Sequence, residues 1–66
     1  MTRTLDAYAI RLAALKAYDI TGVRPRELQL YRTSGEVPDG LTEEVVQRAQ
    51  RIVEEERARL LRLAGS

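Results

Sequence analysis

Apolar residues recur at helical spacing in three segments of the chain, and two short stretches containing glycine and proline separate these segments. Positions 5–20 are rich in alanine and contain neither Gly nor Pro, which favours a helix. Positions 25–34 and 42–63 show the same kind of spacing. The sequence therefore predicts a single all-α domain over residues 1–66, with three helices at about 5–20, 25–34 and 42–63.

The first predicted helix is apolar on two sides. At 100° per residue, one side carries larger residues, namely Leu5, Tyr8, Leu12 and Leu15. The opposite side carries mostly alanine, namely Ala7, Ile10, Ala14 and Ala17. A helix that is apolar on two sides is expected to be buried from both. We expect the leucine side to contact large side chains, and the alanine side to let another helix approach closely, within the subunit or across a dimer.

Glycine and proline define the second predicted helix. Gly22 suits the left-handed conformation at a helix C-terminus, Pro25 suits a first helical turn, and Gly35 ends the segment. The alternative is a strand, because positions 28–33 also alternate loosely between apolar and polar residues. Pro25 and Gly35 favour the helix. At the other helix starts, Thr4 is the expected N-cap of the first helix, and Thr42 or Asp39 that of the third.

The third predicted helix is about 33 Å long, against about 24 Å for the first, at 1.5 Å per residue. Its apolar stripe consists of Val45, Val46, Ala49, Ile52, Val53, Leu60 and Leu63. Because the first helix is shorter, we expect the second half of the third helix to need another partner, most simply a second copy of the chain. The residues expected at that homodimer or partner interface are Val53, Leu60, Leu61, Leu63, Ala14 and Ala17.

The composition argues against an enzyme. The chain has no cysteine and no histidine, so it lacks thiolate ligands and the usual proton shuttle at neutral pH. The run Glu54–Glu56 points in three directions on a helix and cannot converge on one ion, so we expect no metal and no cofactor. Glu56 falls within the apolar stripe. It marks either a polar contact that sets the register of a helix pair or the point where the helix leaves the core.

The charges are unevenly distributed although the formal net charge is only +1. Residues 1–35 carry six basic and three acidic groups, a balance of +3, whereas residues 36–66 carry five arginines and seven acids, a balance of −2. A basic half is a reason to consider nucleic acid as a partner. No apolar run approaches the ~18 residues of a membrane span. Without a signal-peptide pattern, we expect a cytoplasmic protein.

The basic half contains a glycine-centred turn. Gly22-Val23-Arg24-Pro25-Arg26-Glu27-Leu28 and the following Gly35-Glu36-Val37-Pro38 resemble the turn and recognition helix of helix-turn-helix DNA-binding proteins, such as MerR-type regulators, phage excisionases and Cro-like repressors. The resemblance covers residues 14–38. It departs from the family pattern at Tyr18, where a small residue is usual, and at Arg24, where a capping serine is usual. It implies buried positions for Val23, Leu28 and Tyr31.

The resemblance also implies a DNA-binding surface on the 25–34 helix. The residues expected to contact double-stranded DNA are Arg24, Arg26, Gln29, Leu30, Arg32, Thr33 and Lys16, with Arg11 reaching phosphates. Arginine can bond both acceptors of guanine, and glutamine can bond adenine. Two interpretations stay open at this point. The chain is either a small DNA-binding transcription regulator, or a helical interaction module of the antitoxin, inhibitor or assembly-subunit type that docks through its long C-terminal helix.

Overall fold

The computed structural model describes residues 2–65, with side chains from Leu5 onwards, and this part of the chain folds into three α-helices. They are α1 (Thr2–Thr21), α2 (Pro25–Ser34) and α3 (Glu43–Gly65). The predicted all-α fold is confirmed, and the predicted bounds of α2 match. α1 begins before Thr4, which was the expected N-cap. The side chain of Thr4 lies outside the described residues.

The side-by-side packing of α1 and α3 forms most of the core, and α2 closes one flank of this pair. The buried side chains are Ala9, Ala13, Ala17, Val23, Leu28, Val46, Ala49 and Val53. Half of these are alanine, and the largest fully buried side chains are only those of Val23 and Val46. Alanine lets two helix backbones come close together, so the core is thin and built from small groups.

The expectation that α1 is buried from two sides is wrong. The side packed on α3 is the row Ala9, Ala13 and Ala17, at four-residue spacing, and the predicted alanine face shares only Ala17 with it. The leucine side is exposed, with 48% of Leu5, 62% of Tyr8, 37% of Leu12 and 53% of Leu15 accessible. These larger residues are turned away from the core because α3 approaches along the alanine row.

The expected lack of cover on the second half of α3 is found only in part, because Leu63 is exposed and α1 partly covers Leu60 and Leu61. α1 has 20 residues, so it is about 30 Å long and runs beside most of α3. Leu60 and Leu61 are half-buried and line an apolar groove of about 360 Å³ together with Leu5, Tyr8 and Leu12. Exposed apolar surface therefore lies on the outer side of α1 and, at the end of α3, on Leu63.

Two residues of the expected partner interface lie inside the core. Ala17 is fully buried and Val53 is almost so, because both pack in the contact between α1 and α3. In this fold neither side chain is accessible to a second chain. Ala14 is half-buried, and Leu63 is exposed.

Side-chain caps fix the start of α3 and the position of α2. Thr42 is the N-cap residue of α3, since its hydroxyl accepts a hydrogen bond from the Val45 N–H at 3.2 Å. The Tyr31 hydroxyl of α2 donates to Glu43 Oε2 at 3.0 Å and accepts from Gln47 Nε2 at 3.2 Å. These two bonds tie α2 to the first turns of α3.

Glu56 joins α3 to α1. Its Oε2 accepts a hydrogen bond from Lys16 Nζ at 3.0 Å and another from Arg59 Nε at 3.3 Å. The hydrogen bonds from Arg59, followed by those from Lys16, lower the pKa of Glu56 from 4.5 to about 2. Glu56 therefore forms a polar contact between two helices. It does not mark the point where α3 leaves the core, which was the other interpretation of its position in the apolar stripe.

Candidate nucleic-acid interface

The turn between α1 and α2 is held by its own backbone and by Thr21. Gly22 has φ = +82° and donates its N–H to the Tyr18 carbonyl at 2.8 Å, which ends α1. The Thr21 hydroxyl donates to the Ala17 carbonyl at 2.7 Å and accepts from the Val23 N–H at 3.2 Å. The Val23 side chain is fully buried. Local hydrogen bonds and the buried Val23 side chain therefore set the direction of α2 relative to α1.

Glu27 forms one half of a capping box at the start of α2, and Arg24 cannot form the other half. A guanidinium has no acceptor, so it cannot bond the free N–H groups of a helix start. Instead, Glu27 Oε1 accepts the Arg24 N–H at 2.9 Å, and Pro25 begins the helix. The only carboxylate of α2 is thereby directed to the helix start. Gly35, with φ = +77°, ends the helix by donating to the Tyr31 carbonyl at 2.8 Å.

The outer face of α2 is formed by Arg26, Gln29, Leu30 and Thr33. Their spacing of three, four and seven residues places them on one side of the helix, and all four are exposed. Leu30 has 45% of its surface accessible, so it lies outside the core. The other side of α2 carries Leu28, which is buried, and Tyr31, which packs against the core. Of the three buried positions that the resemblance implied, Val23 and Leu28 are buried, whereas Tyr31 is only partly buried.

An apolar groove of about 530 Å³ lies between α1 and α2. Among its lining residues are Ile10, Ala14 and Leu28, together with Arg11 from α1 and Arg32 from α2. No acidic residue lines it within the described part of the chain. Arg11 and Arg32 thus place two positive charges on one groove beside the outer face of α2.

The basic residues expected at DNA fall into two groups. Arg24, Arg26 and Arg32 are exposed, and within residues 5–65 their guanidinium groups make no ion pair or hydrogen bond. Lys16 is bonded to Glu56 of α3 and does not line the groove between α1 and α2. The structure therefore brings the arginines and Gln29 together on and beside α2, but not Lys16.

The outer side of α1 is a surface that the apolar pattern did not predict. The pattern predicts a buried contact for Leu5, Tyr8, Leu12 and Leu15, whereas the structure exposes all four. The available signal was the size difference between the two apolar sides of this helix. In the part of the chain that the structure describes, no group of three acidic residues is placed to hold a metal ion. No described helix is long and apolar enough to pass through a bilayer.

Comparisons with known proteins add no relative. No protein-family model matches the chain, and neither a curated protein nor a solved structure matches it. The case for a function therefore rests on the residues and geometry described above.

Proposed function

We propose that this chain is a small helix-turn-helix DNA-binding regulator that inserts α2 into the major groove of double-stranded DNA. The observation that carries the proposal is the outer face of α2. It presents Arg26, Gln29, Leu30 and Thr33 on one exposed side, free of acidic residues, while Leu28 holds the helix on the core. A recognition helix needs this division between a buried side and a polar, basic outer side.

The chemistry of this face suits base contacts. The Arg26 guanidinium can donate two hydrogen bonds to guanine O6 and N7, and the Gln29 amide can bond adenine N6 and N7. Leu30 offers an apolar contact to a thymine methyl group. The Thr33 hydroxyl donates to the Gln29 carbonyl at 3.1 Å, and its oxygen is left to accept a hydrogen bond.

Phosphate contacts come from the arginines around this face. Arg24 lies at the start of α2, and Arg11 and Arg32 line the adjacent groove, so cations lie on two sides of the proposed recognition surface. Such contacts orient the protein on the duplex without reading its sequence. Glu27 keeps its negative charge, but the hydrogen bond from the Arg24 N–H holds its carboxylate at the start of α2, and it is not one of the four outer-face residues.

The test is fluorescence anisotropy of a labelled, mixed-sequence duplex titrated with the protein at about 50 and about 200 mM salt. We expect the affinity to fall at least ~10-fold between these conditions, because a few neutralised phosphates are enough to produce such a slope. Arg24→Ala/Arg26→Ala should abolish binding. The matched control is Arg48→Ala/Arg51→Ala, which removes the same charge from exposed positions of α3.

Two results would overturn the proposal. One is the absence of binding at the lower salt concentration. The other is an equal loss of affinity in the α2 and α3 variants, which would indicate an attraction to net charge alone. Binding that survives the α3 changes and fails with the α2 changes identifies α2 as the contacting element, and selection of duplexes from a random pool would then define the bound sequence.

The second candidate is a helical protein-interaction module. It is favoured by the apolar groove of about 360 Å³ between the end of α3 and the start of α1, to which Leu60, Leu61 and Leu63 contribute. A protein of this class would show no DNA binding at the lower salt concentration and would be indifferent to Arg24→Ala/Arg26→Ala. Its partner binding would instead be lost on Leu60→Asp or Leu63→Asp.

A further inference from the structure

Residues of all three helices line the groove between α1 and α2, which has a volume of about 530 Å³. Ile10 and Ala14 come from α1, Leu28 from α2 and Val53 from α3. Leu28 and Val53 are also core residues, only 4% and 3% exposed, so the groove extends down to the core. Mostly apolar walls and a volume of this order are typical of the pockets in which proteins bind small molecules.

The charged groups of this groove all have the same sign. Arg11 and Arg32 are the only ionisable side chains among its described lining residues. Neither guanidinium has an ion pair or a side-chain hydrogen bond within residues 5–65, whereas Arg57 and Arg59 of α3 both bind carboxylates. Attraction between charges is stronger beside apolar surface than in open water. The groove is therefore complementary to a molecule that combines an apolar body with a negative charge.

The two arginines lie towards the end of the groove that is farther from the connecting turn. Leu15 and Pro25 line the groove near that turn. Arg11 and Arg32 come four and seven residues farther along their helices, which is roughly 6 and 10 Å at 1.5 Å per residue. This arrangement suits an apolar chain that extends towards the turn from a head group held by the arginines.

The length of the groove favours a small molecule over a protein segment. Its lining residues on α1 extend from Ala7 to Leu15, which is about 12 Å or roughly two helical turns. A docked helix of ordinary length would extend beyond the groove at both ends. An alkyl chain of medium length with one head group fits within it.

We propose that the groove between α1 and α2 binds a small molecule with an apolar body and an anionic head group. The body contacts Ile10, Ala14 and Leu28, and the head group lies between Arg11 and Arg32. Carboxylate and phosphate share the required chemistry, because arginine donates paired hydrogen bonds to either group. The inference does not depend on DNA binding. Since the same two arginines are proposed to contact DNA phosphates, ligand binding is measured on the protein alone.

Isothermal titration calorimetry with octanoate and with octyl phosphate, each kept below its micelle concentration, tests the binding. We expect saturable one-to-one binding of at least one anion, and the tighter of the two identifies the head group. Octan-1-ol keeps the chain and acetate keeps the charge, so each should bind at least ~10-fold more weakly than that anion. The proposal is overturned if neither anion binds saturably, or if octan-1-ol binds as tightly as the better anion.

Removal of the two charges tests the role of the arginines. Arg11→Gln/Arg32→Gln alters exposed positions and should lower the affinity for the better anion at least ~10-fold, with unchanged helical circular dichroism. The matched control is Arg48→Gln/Arg51→Gln, which removes the same charge from exposed positions of α3 outside the groove and should bind like the wild type. Wild-type affinity in the groove variant, or an equal loss in both variants, would contradict the proposal.

Amide proton–nitrogen correlation spectra test the location. We expect the better anion to shift the amide signals of Ile10, Ala14 and Gln29 more than those of the exposed outer side of α1. Leu5→Ser/Tyr8→Ser removes two exposed apolar residues that do not line the groove, and it should leave the affinity unchanged. A loss of binding in this variant would place the ligand on the outer side of α1 and would overturn the assignment to the groove.

Discussion

The two long sides of α1 are both apolar and have opposite roles. The inner side, with Ala9, Ala13 and Ala17, is buried against α3, whereas the outer side with Tyr8 and Leu12 is exposed. Hydrophobicity alone would have assigned the larger residues to the core. In the structure α3 packs on the side with the smaller residues, which agrees with the close helix packing that alanine allows and with its burial at no cost in side-chain entropy.

Two ion pairs also join α1 to α3 beside the inner side. Lys16 bonds to Glu56, and Asp6 accepts a hydrogen bond from Arg57 Nε at 2.7 Å. Both pairs link α1 to α3. The inner side of α1 therefore combines small side chains with two ion pairs to α3, whereas the outer side carries large apolar groups.

The largest effect is expected from adding bulk to the inner side. Ala13 is fully buried, so Ala13→Leu forces α1 and α3 apart and should destabilise the fold by about 1–3 kcal/mol or prevent folding. The matched control is Ala7→Leu, an exposed alanine on the same helix, with an expected change within about 0.5 kcal/mol. Urea unfolding at one protein concentration measures both variants. Equal destabilisation would contradict the assignment of the inner side.

A pH-dependent effect is expected from Glu56. Its pKa is lowered to about 2 in the folded protein, so its ionised form favours folding at pH values above 4.5, the ordinary pKa of glutamate. This contribution is lost as the pH falls from 4.5 towards 2. Glu56→Gln should therefore melt at a lower temperature than the wild type near neutral pH, and the difference should shrink progressively over that acidic range. A difference that does not change with pH would exclude the ion pair as its cause.

The smallest effect is expected from Asp6. Its ion pair with Arg57 raises the pKa of the guanidinium, but about two-fifths of each side chain is exposed, so solvent screens the Coulomb attraction. Asp6→Asn should lower the melting temperature less than Glu56→Gln, and the loss should disappear at about 1 M salt. Asp19→Asn is the control, since Asp19 is an exposed acid on the same helix without an ion pair among the described residues.

The local elements of this fold could be predicted from sequence because single residues mark them. Gly22, Pro25 and Gly35 defined α2, and Thr42 marked the start of α3. The burial of Val23 and Leu28 was implied by the resemblance to helix-turn-helix proteins, and the structure buries both. The packing of α1 could not be predicted in this way, because apolar residues surround much of that helix and periodicity does not distinguish its sides.

The candidate site could also be predicted only in part from the sequence. Exposure of Arg26 and Gln29 follows from the helical spacing of α2 once Leu28 is assigned to the core. The engagement of Lys16 with Glu56 depends on a contact between residues 40 positions apart, which no local pattern contains. Lys16 and Arg32 contribute equally to the positive charge of the first half of the chain. Of these two residues, Arg32 lines the groove beside α2 and Lys16 does not.

The bond between Asp6 and Arg57, 51 positions apart, has a consequence for biosynthesis. During translation α1 emerges from the ribosome first, and its alanine row has no native neighbour until α3 has followed. At ~5–20 residues per second this interval lasts a few seconds, and an isolated helix of this length is marginal in water. Native packing of α1 thus waits for α3, and a ribosome stalled before Arg57 would hold a nascent chain that proteases can readily cleave.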